Sequence, residues 1–429
     1  MDVRPGYKQT EVGVIPEDWD VKPMAELFTF QNGVNADKSA YGSGIPFINV
    51  LEVITHSTIT EDRIPGKIAL SAQAINTFAV QHGDVLFNRT SETQEEVGLA
   101  SVYTGNESVV FGGFVIRARP RNHRMVSSFT SYALRSPAIR FQIVARGQGA
   151  VRANIGQQDL SRVQIVLPAK AEQEAIAEVL SDADALIESL EQLIAKKRHV
   201  KQGAMQGLLS GKRRLPGFET KPGYKQTEVG VIPEDWQLRP LLTVVRVANG
   251  QVDPRIEPYR SMILVGPEHI ESATGRLLQQ QTAGEQRAIS GKYLVKRGDI
   301  VYGKINPYLK KVILADFEGL CSADMYPLKP VADVAAGFVF AAILGDHFSK
   351  YAESVSVRSG MPKINRIELA EYKMPLPPTK AEQTAIATIL SDMDAEIAAL
   401  EAKLGKARQI KQGMMQELLT GRIRLVGGA

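Results

Sequence analysis

The stretch PGYKQTEVGVIPEDW fills residues 5–19, and the same fifteen residues return at 222–236. Identity of that length at two distant places in one chain marks a duplicated module. A short-period solenoid does not fit, because such repeats recur every ~20–50 residues. The repeat therefore decides the architecture, and the rest of the sequence must say what each copy encloses.

A second, longer repeat lies downstream of each copy. KAEQEAIAEVLSDADALIESLEQLIAKKRHVKQGAMQGLLSGKRRLPG (170–217) aligns without gaps on KAEQTAIATILSDMDAEIAALEAKLGKARQIKQGMMQELLTGRIRLVG (380–427), with more than half of the positions identical. Neither block carries proline between Lys170 and Leu215 or between Lys380 and Leu425, and each follows a proline-bearing breaker, LPAK or LPPTK, which suits a helix start. Apolar residues recur with alternating spacings of four and three at Ile176, Leu180, Ala183, Ile187, Leu190 and Ile194. The second copy repeats this at Ile386, Leu390, Met393, Ile397, Leu400 and Leu404. Such a heptad seam asks for a partner helix. A rod of about 40 residues, ~60 Å at 1.5 Å per residue, cannot build a globular core alone. The simplest expectation is that the two copies pack on each other; the alternative is that each packs on its own module. Gly211 and Gly421 read as helix stops. The basic tails after them suit a helix C-terminus as well as phosphate, so no site is assigned there.

Between the repeated frames the two interiors diverge, apart from short echoes. GDVLFNR (83–89) matches GDIVYGK (298–304), and DLSRVQIVLP (159–168) matches ELAEYKMPLP (368–377). The segments GDVLFNRT, SVVFGGFVIRARP, GDIVYGKI and KVILAD read as short strands edged by Gly, Asn and Asp. SSFTSYALRSPAIRFQIVARG and GFVFAAILGDHFSKYAESV read as helices.

Composition narrows the class. The 429 residues, 44% hydrophobic and 23% charged, suit a soluble globular chain of two or three domains. The longest apolar run, 335–344, falls well short of the ~20 residues of a membrane span, and the N-terminus lacks the apolar core of an export signal. One cysteine, Cys321, fits a reducing cytoplasm, and the six histidines form no metal-ligand pattern. The net charge of +4 says little, but its distribution is uneven. Residues 117–162 hold nine arginines (Arg117, Arg119, Arg121, Arg124, Arg135, Arg140, Arg146, Arg152, Arg162) against one acid, Asp159, and residues 287–311 hold seven bases against Asp299. One locally basic stretch in each half points to a polyphosphate partner, with an ordinary solvated surface as the plainer reading.

No catalytic motif survives inspection. GDIVYGKI has the G-x-x-x-x-G-K spacing of a phosphate loop, but Ile305 stands where a hydroxyl must hold magnesium, and its interior is strand-like. Asn306–Pro–Tyr lacks the second proline of the aminomethyltransferase motif it faintly resembles. Glu401 and Lys403 imitate a nuclease Glu-x-Lys pair but sit on the heptad helix. The expectation is a chain with no active site, metal or cofactor of its own.

Two variable α/β interiors alternating with two repeated helices, introduced by GYKQTEVGVIPEDW and by LP…AEQ, resemble the specificity subunit of type I restriction–modification systems across essentially the whole chain. The resemblance implies an α+β chain in which two target recognition domains are separated by two long helices. The helices would form an antiparallel coiled coil, and the internal duplication would have pseudo-twofold symmetry. Boundaries drawn from the repeats are 1–167, 168–215, 216–376 and 377–429. It further implies a non-catalytic, cytoplasmic subunit that binds double-stranded DNA with a split recognition sequence. Its partners would be two modification (methyltransferase) subunits and the restriction (motor–nuclease) subunits. S-adenosylmethionine, ATP and Mg would then belong to the partners. Two other readings compete: a stand-alone sequence-specific DNA binder, and a coiled-coil scaffold for protein.

Residue type and repeat position nominate the DNA contacts, since Arg and Lys meet phosphate or guanine, and Asn and Gln meet adenine. The candidates are Asn88, Arg89, Arg117, Arg119, Arg146 and Arg152 in the first module, and Lys304, Asn306, Arg358 and Lys363 in the second. Trp19 and Trp236, the only tryptophans, are expected to anchor the repeated segment by burial, with DNA stacking as the sharper alternative.

Overall fold

The computed structural model of the chain describes residues 4–149, 152–357 and 360–425. The chain forms two compact units, Met1–Glu191 with Lys403–Ala429, and Gln192–Ala402. The division runs through both long helices, so each unit owns one module together with part of each helix.

The duplicated fifteen residues fold the same way twice. Tyr7–Thr10 pairs with Gly13–Pro16 in a hairpin closed at Thr10 and Gly13, and Tyr224–Thr227 pairs with Gly230–Pro233 in the same register. The turn requires φ of +112° at Gly13 and +105° at Gly230, which glycine alone adopts cheaply. In both copies the threonine hydroxyl donates to the glycine carbonyl at 2.7 Å. The next strand pairs with the strand that leads into the long helix: Asp20–Pro23 with Gln164–Leu167, and Gln237–Pro240 with Lys373–Leu376. Each interior is thus clamped at its two ends.

Inside the first unit a five-stranded sheet runs in the order Phe28–Asn32, Val115–Pro120, Val85–Asn88, Ala100–Tyr103, Thr58–Ile59, beside a smaller sheet containing Tyr41–Ile48 and Val109–Phe111. The second unit has a four-stranded sheet, Val245–Val247, Met325–Pro330, Ile300–Gly303, Val312–Leu314, and a three-stranded one. The echoing strands Val85–Asn88 and Ile300–Gly303 are internal and fully buried. Ile300–Gly303 is therefore sheet core, not a phosphate cradle. Three sequence segments prove to be composite. The strand expected in SVVFGGFVIRARP is two strands joined at 112–114. The helix at 127–147 breaks into Ser127–Ala133 and Pro137–Val144, because Ser136 caps a new helix with proline at its first position. The other breaks at Gly345, whose extended backbone separates Ala336–Leu344 from Asp346–Ser356.

The long helices are Lys170–Leu209 and Lys380–Leu418. In the first unit Lys411 pairs with Asp184 at 2.5 Å and Arg408 with Glu191 at 2.6 Å. In the second, Lys197 pairs with Glu396, Arg198 with Glu401 and Lys201 with Asp394 at 2.5–2.6 Å. From Asp184–Lys411 to Glu191–Arg408, and from Arg198–Glu401 to Lys201–Asp394, numbers rise along one helix as they fall along the other, so the pairing is antiparallel in each unit. Mostly exposed pairs of this kind contribute ~0–1 kcal/mol each, and they fix direction more than stability. The seam supplies the burial: Ile176, Leu180, Leu190, Ile194, Ile386, Leu390 and Ile397 are buried, and Ile187, Leu400 and Leu404 are half-buried. Both packing alternatives are realised. Ile176 and Leu180 cluster with Leu418 and Leu419 of the other helix and with Trp19 and Phe129 of their own module. Ile386 and Leu390 cluster likewise with Ala204, Leu208, Trp236 and Phe338. Among the described residues no helix is long and apolar enough to cross a membrane, and no group of three or more His, Cys, Asp or Glu is placed to hold a metal.

Candidate nucleic-acid interface

Each module is locked to the helices by a buried polar cluster built from the repeated Glu–Gln and the basic tail. In the first unit the fully buried Glu172 accepts from the Trp19 indole N–H at 2.9 Å and from Arg424 at 2.6 and 2.8 Å. Arg424 also reaches Asp18 at 2.9 and 2.8 Å and lies over the Trp19 ring. In the second unit Arg214 bonds Glu382 at 2.9 Å and Asp235 at 2.8 Å and lies over Trp236. The neighbouring glutamines are buried too. Gln173 accepts from Val126 N and donates to Arg124 and Pro168 carbonyls; Gln383 accepts from Ala335 N and donates to Pro377. Both tryptophans are fully buried, so they anchor the hairpin and cannot stack on a base.

These clusters carry a pH signature. Burial pushes Asp235 up, but hydrogen bonds from Arg214 and Thr220 outweigh it and hold the carboxyl below the ordinary aspartate range. A depressed carboxyl contributes stability that is full above its unfolded value near ~4 and drains as pH falls through its folded value. Burial pushes Glu382 up, which acts in the opposite sense. The acid-sensitive member of this cluster is therefore Asp235. Asp235→Asn is expected to lose less stability than the parent between pH ~4 and ~2, read as thermal midpoints across that window. An identical slope in the two proteins would remove Asp235 from the account.

With the frame clamped, each module presents a junction where three segments meet at the end of the buried central strand. In the first, Arg89 N donates to Phe114 O at 2.8 Å and Ile155 N donates to Arg89 O at 3.0 Å, while Thr90 pairs with Asn154. In the second, Lys304 N donates to Asp324 O at 3.1 Å, Ile364 N donates to Lys304 O at 3.0 Å, and Ile305 bridges Lys363. The backbone bonds correspond one to one; the side chains do not. Arg89, Phe114, Arg152 and Asn154 are exposed at the first junction, and Asp324, Met361 and Lys363 at the second. A shared skeleton bearing basic, amide and apolar groups that differ between copies is suited to reading two different nucleic-acid sequences.

The family model described as "Type I restriction modification DNA specificity domain" matches this chain twice, over residues 16–196 and 233–411. The chain belongs to this family. It is similar over 96% of its length to the type I restriction enzyme EcoDI specificity subunit of Escherichia coli, at 27% identity and 89% coverage of that protein. It is also similar to the putative type I restriction enzyme MjaX specificity subunit of Methanocaldococcus jannaschii, at 25% identity over 98% of this chain and 97% of that one. In fold it resembles the S subunit of a type I system from M. genitalium, with a TM-score of 0.56 and 15% identity, covering 97% of this chain and 98% of that one. A chain from a structure of type I complex assembly has a TM-score of 0.54 at 14% identity, covering 95% of this chain and 99% of that one. Function follows with the family: this is a non-catalytic DNA-recognition subunit.

For a specificity subunit, most of the arginine-rich stretch proves to be structural. Arg117 is buried over the Phe111 ring and donates to Ala79 O and Gln31, so its expected DNA contact is corrected. Arg119 is held by both oxygens of Asp84 and by Ala79 O, and is likewise committed internally. Asn88 is fully buried, with its amide facing the core, and cannot reach a duplex. Arg146 caps its own helix through Gln142 O at 2.8 Å. Arg121, Arg124, Arg135 and Arg140 are spent on carbonyls or on Asp20. Burial lowers the Arg135 guanidinium to about 10. Arg89 and Arg152 stay exposed, the latter 4.0 Å from Glu92. In the second module Lys304 donates to Ala323 O at 2.7 Å and lies over Tyr326, and Asn306 sits half-buried in a left-handed turn. Lys363 is exposed. Arg358 lies outside the described residues. The sequence reading missed Phe114 and Asp324, which no gap-free echo aligns. It also left unassigned Arg214 and Arg424, whose identical place in the two tails was the available signal.

Proposed function

We propose that the chain reads a bipartite duplex target, one half-site per module, and carries the modification and restriction subunits of a type I complex to it. The observation that supports this is the pair of junctions: one backbone scheme, two unlike sets of exposed side chains, each set in a repeated frame. Two identical frames suit two copies of one kind of partner, since each copy can dock the same surface in the same pose. On this reading two modification subunits would supply S-adenosylmethionine chemistry at adenine, and the motor–nuclease subunits would bring ATP and magnesium, in the cytoplasm. The present chain contributes recognition alone.

The test is a genome-wide map of N6-methyladenine in a methylation-free host expressing the cognate modification subunit with and without this chain. A split motif appearing only with the chain is the expected result, and exchanging residues 20–167 or 237–376 for those of a relative should rewrite one half and leave the other. A soluble complex that marks no new adenine would overturn the reading.

A further inference from the structure

The matched junctions single out one position per module. Phe114 O and Asp324 O accept the same backbone N–H, that of Arg89 and of Lys304. Each of the two residues lies on the turn between two sheet strands and points outward, Phe114 being 59% exposed. Their backbone task is the same, so the difference between them lies in what the side chain meets outside the chain.

Asp324 is the more telling of the two. Its carboxylate has no hydrogen-bond or ion-pair partner among the described residues, although Lys304 lies beside it. Lys304 spends its ammonium on the adjacent Ala323 carbonyl, Lys310 on Asp346, and Lys311 on Ile270 O, leaving Lys363 exposed nearby. A free carboxylate on a face that meets phosphates is repelled by them, at a cost that grows as water is excluded. It is useful there only against a donor. In the major groove the donor that pairs with Asp or Glu is the exocyclic N4 amino group of cytosine, while an exposed aromatic ring meets the C5 methyl of thymine.

We propose that positions 114 and 324 are base-reading positions, with Asp324 accepting from a cytosine N4 amino group in the half-site of the second module and Phe114 contacting a thymine methyl in the half-site of the first. The inference rests on the DNA-specificity reading above. It adds which side chains discriminate and for which bases.

The test uses the full chain in complex with its modification subunit, comparing methylation maps of the parent, Asp324→Ala, Asp324→Asn and Phe114→Ala. Asp324→Ala should relax one C·G position of one half-site, with preference there falling on the order of 10–100-fold, and leave the other half unchanged. Asp324→Asn should shift the same position towards adenine, which an amide pairs in two-point fashion. Phe114→Ala should relax one A·T position in the other half. A parent that marks a split motif, with all three variants marking it at the same stringency, would overturn this inference and leave the functional reading standing. So would a uniform rise in binding to all DNA on removing Asp324, which is the signature of a carboxylate that only repels phosphate, or a relaxed position that is not C·G. A parent that marks no motif would sink both.

Discussion

Arg424→Ala is expected to release the first hairpin from the helix ends, at a cost of about 3 kcal/mol, the lower end of what is lost when one partner of a buried ion pair is removed. The reason is Glu172, whose carboxylate is fully buried and has three charge-assisted or indole bonds, two of them from Arg424. Without the guanidinium the carboxylate stays enclosed with only the Trp19 N–H. The expected readout is hydrogen exchange in the full chain, because a protein of two units has no single unfolding free energy. Amides of residues 7–10 and 13–15 should lose protection while those of residues 224–227 and 230–232 keep theirs. Arg214→Ala should give the reverse pattern, since Arg214 serves Glu382 and Asp235 in the second unit. Glu172→Gln combined with Arg424→Ala should recover part of the loss, because an orphaned neutral amide costs less than an orphaned charge. Equal loss in the single and double variants would mean that the buried charge is not what the arginine answers.

Gly421→Val should damage the same unit by a different route. Gly421 ends the second long helix at φ +69°, and a Cβ there would lie 2.4 Å from the Pro16 ring and 3.1 Å from Trp19. Left-handed backbone costs a side chain ~1–2 kcal/mol, and forcing it against a packed ring adds ~1–3 kcal/mol. The hairpin therefore docks only where the helix stops on glycine. Gly413 is the control: it lies within the same helix with open space at its Cβ. Gly413→Ala should leave hairpin protection intact and strengthen the helix by up to ~1 kcal/mol. Similar damage from both substitutions would point to general helix weakening and away from the contact with Pro16.

What could be read without coordinates follows the range of the forces involved. The duplication was legible because fifteen identical residues declare themselves in the sequence; the hairpin that each copy forms was not read from it and emerged with the pairing of Tyr7–Thr10 with Gly13–Pro16. The seam was legible because the helix repeats its faces every few residues, so Ile176, Leu180, Ile386 and Leu390 announce their burial through spacing. The breaks at Ser136–Pro137 and Gly345 were missed because the apolar pattern runs through both, and capping decided the boundary.

The sequence by itself determined that this protein is a module built twice, that each copy has an α/β interior enclosed by repeated segments and a long helix whose heptad seam asks for a partner, and that the tryptophans and the glycine stops belong to the frame. Only the tertiary structure decided what the charges do. An arginine carries five donors and will satisfy whichever carbonyls or carboxylates the fold brings near, so Arg117, Arg119 and Arg135 looked like a DNA surface until Ala79, Asp84 and Val53 came within reach. Only the structure, likewise, paired Phe114 with Asp324. Their equivalence is written in two backbone hydrogen bonds across segments of unequal length, and a hydrogen bond between strands leaves no trace in the order of residues along the chain.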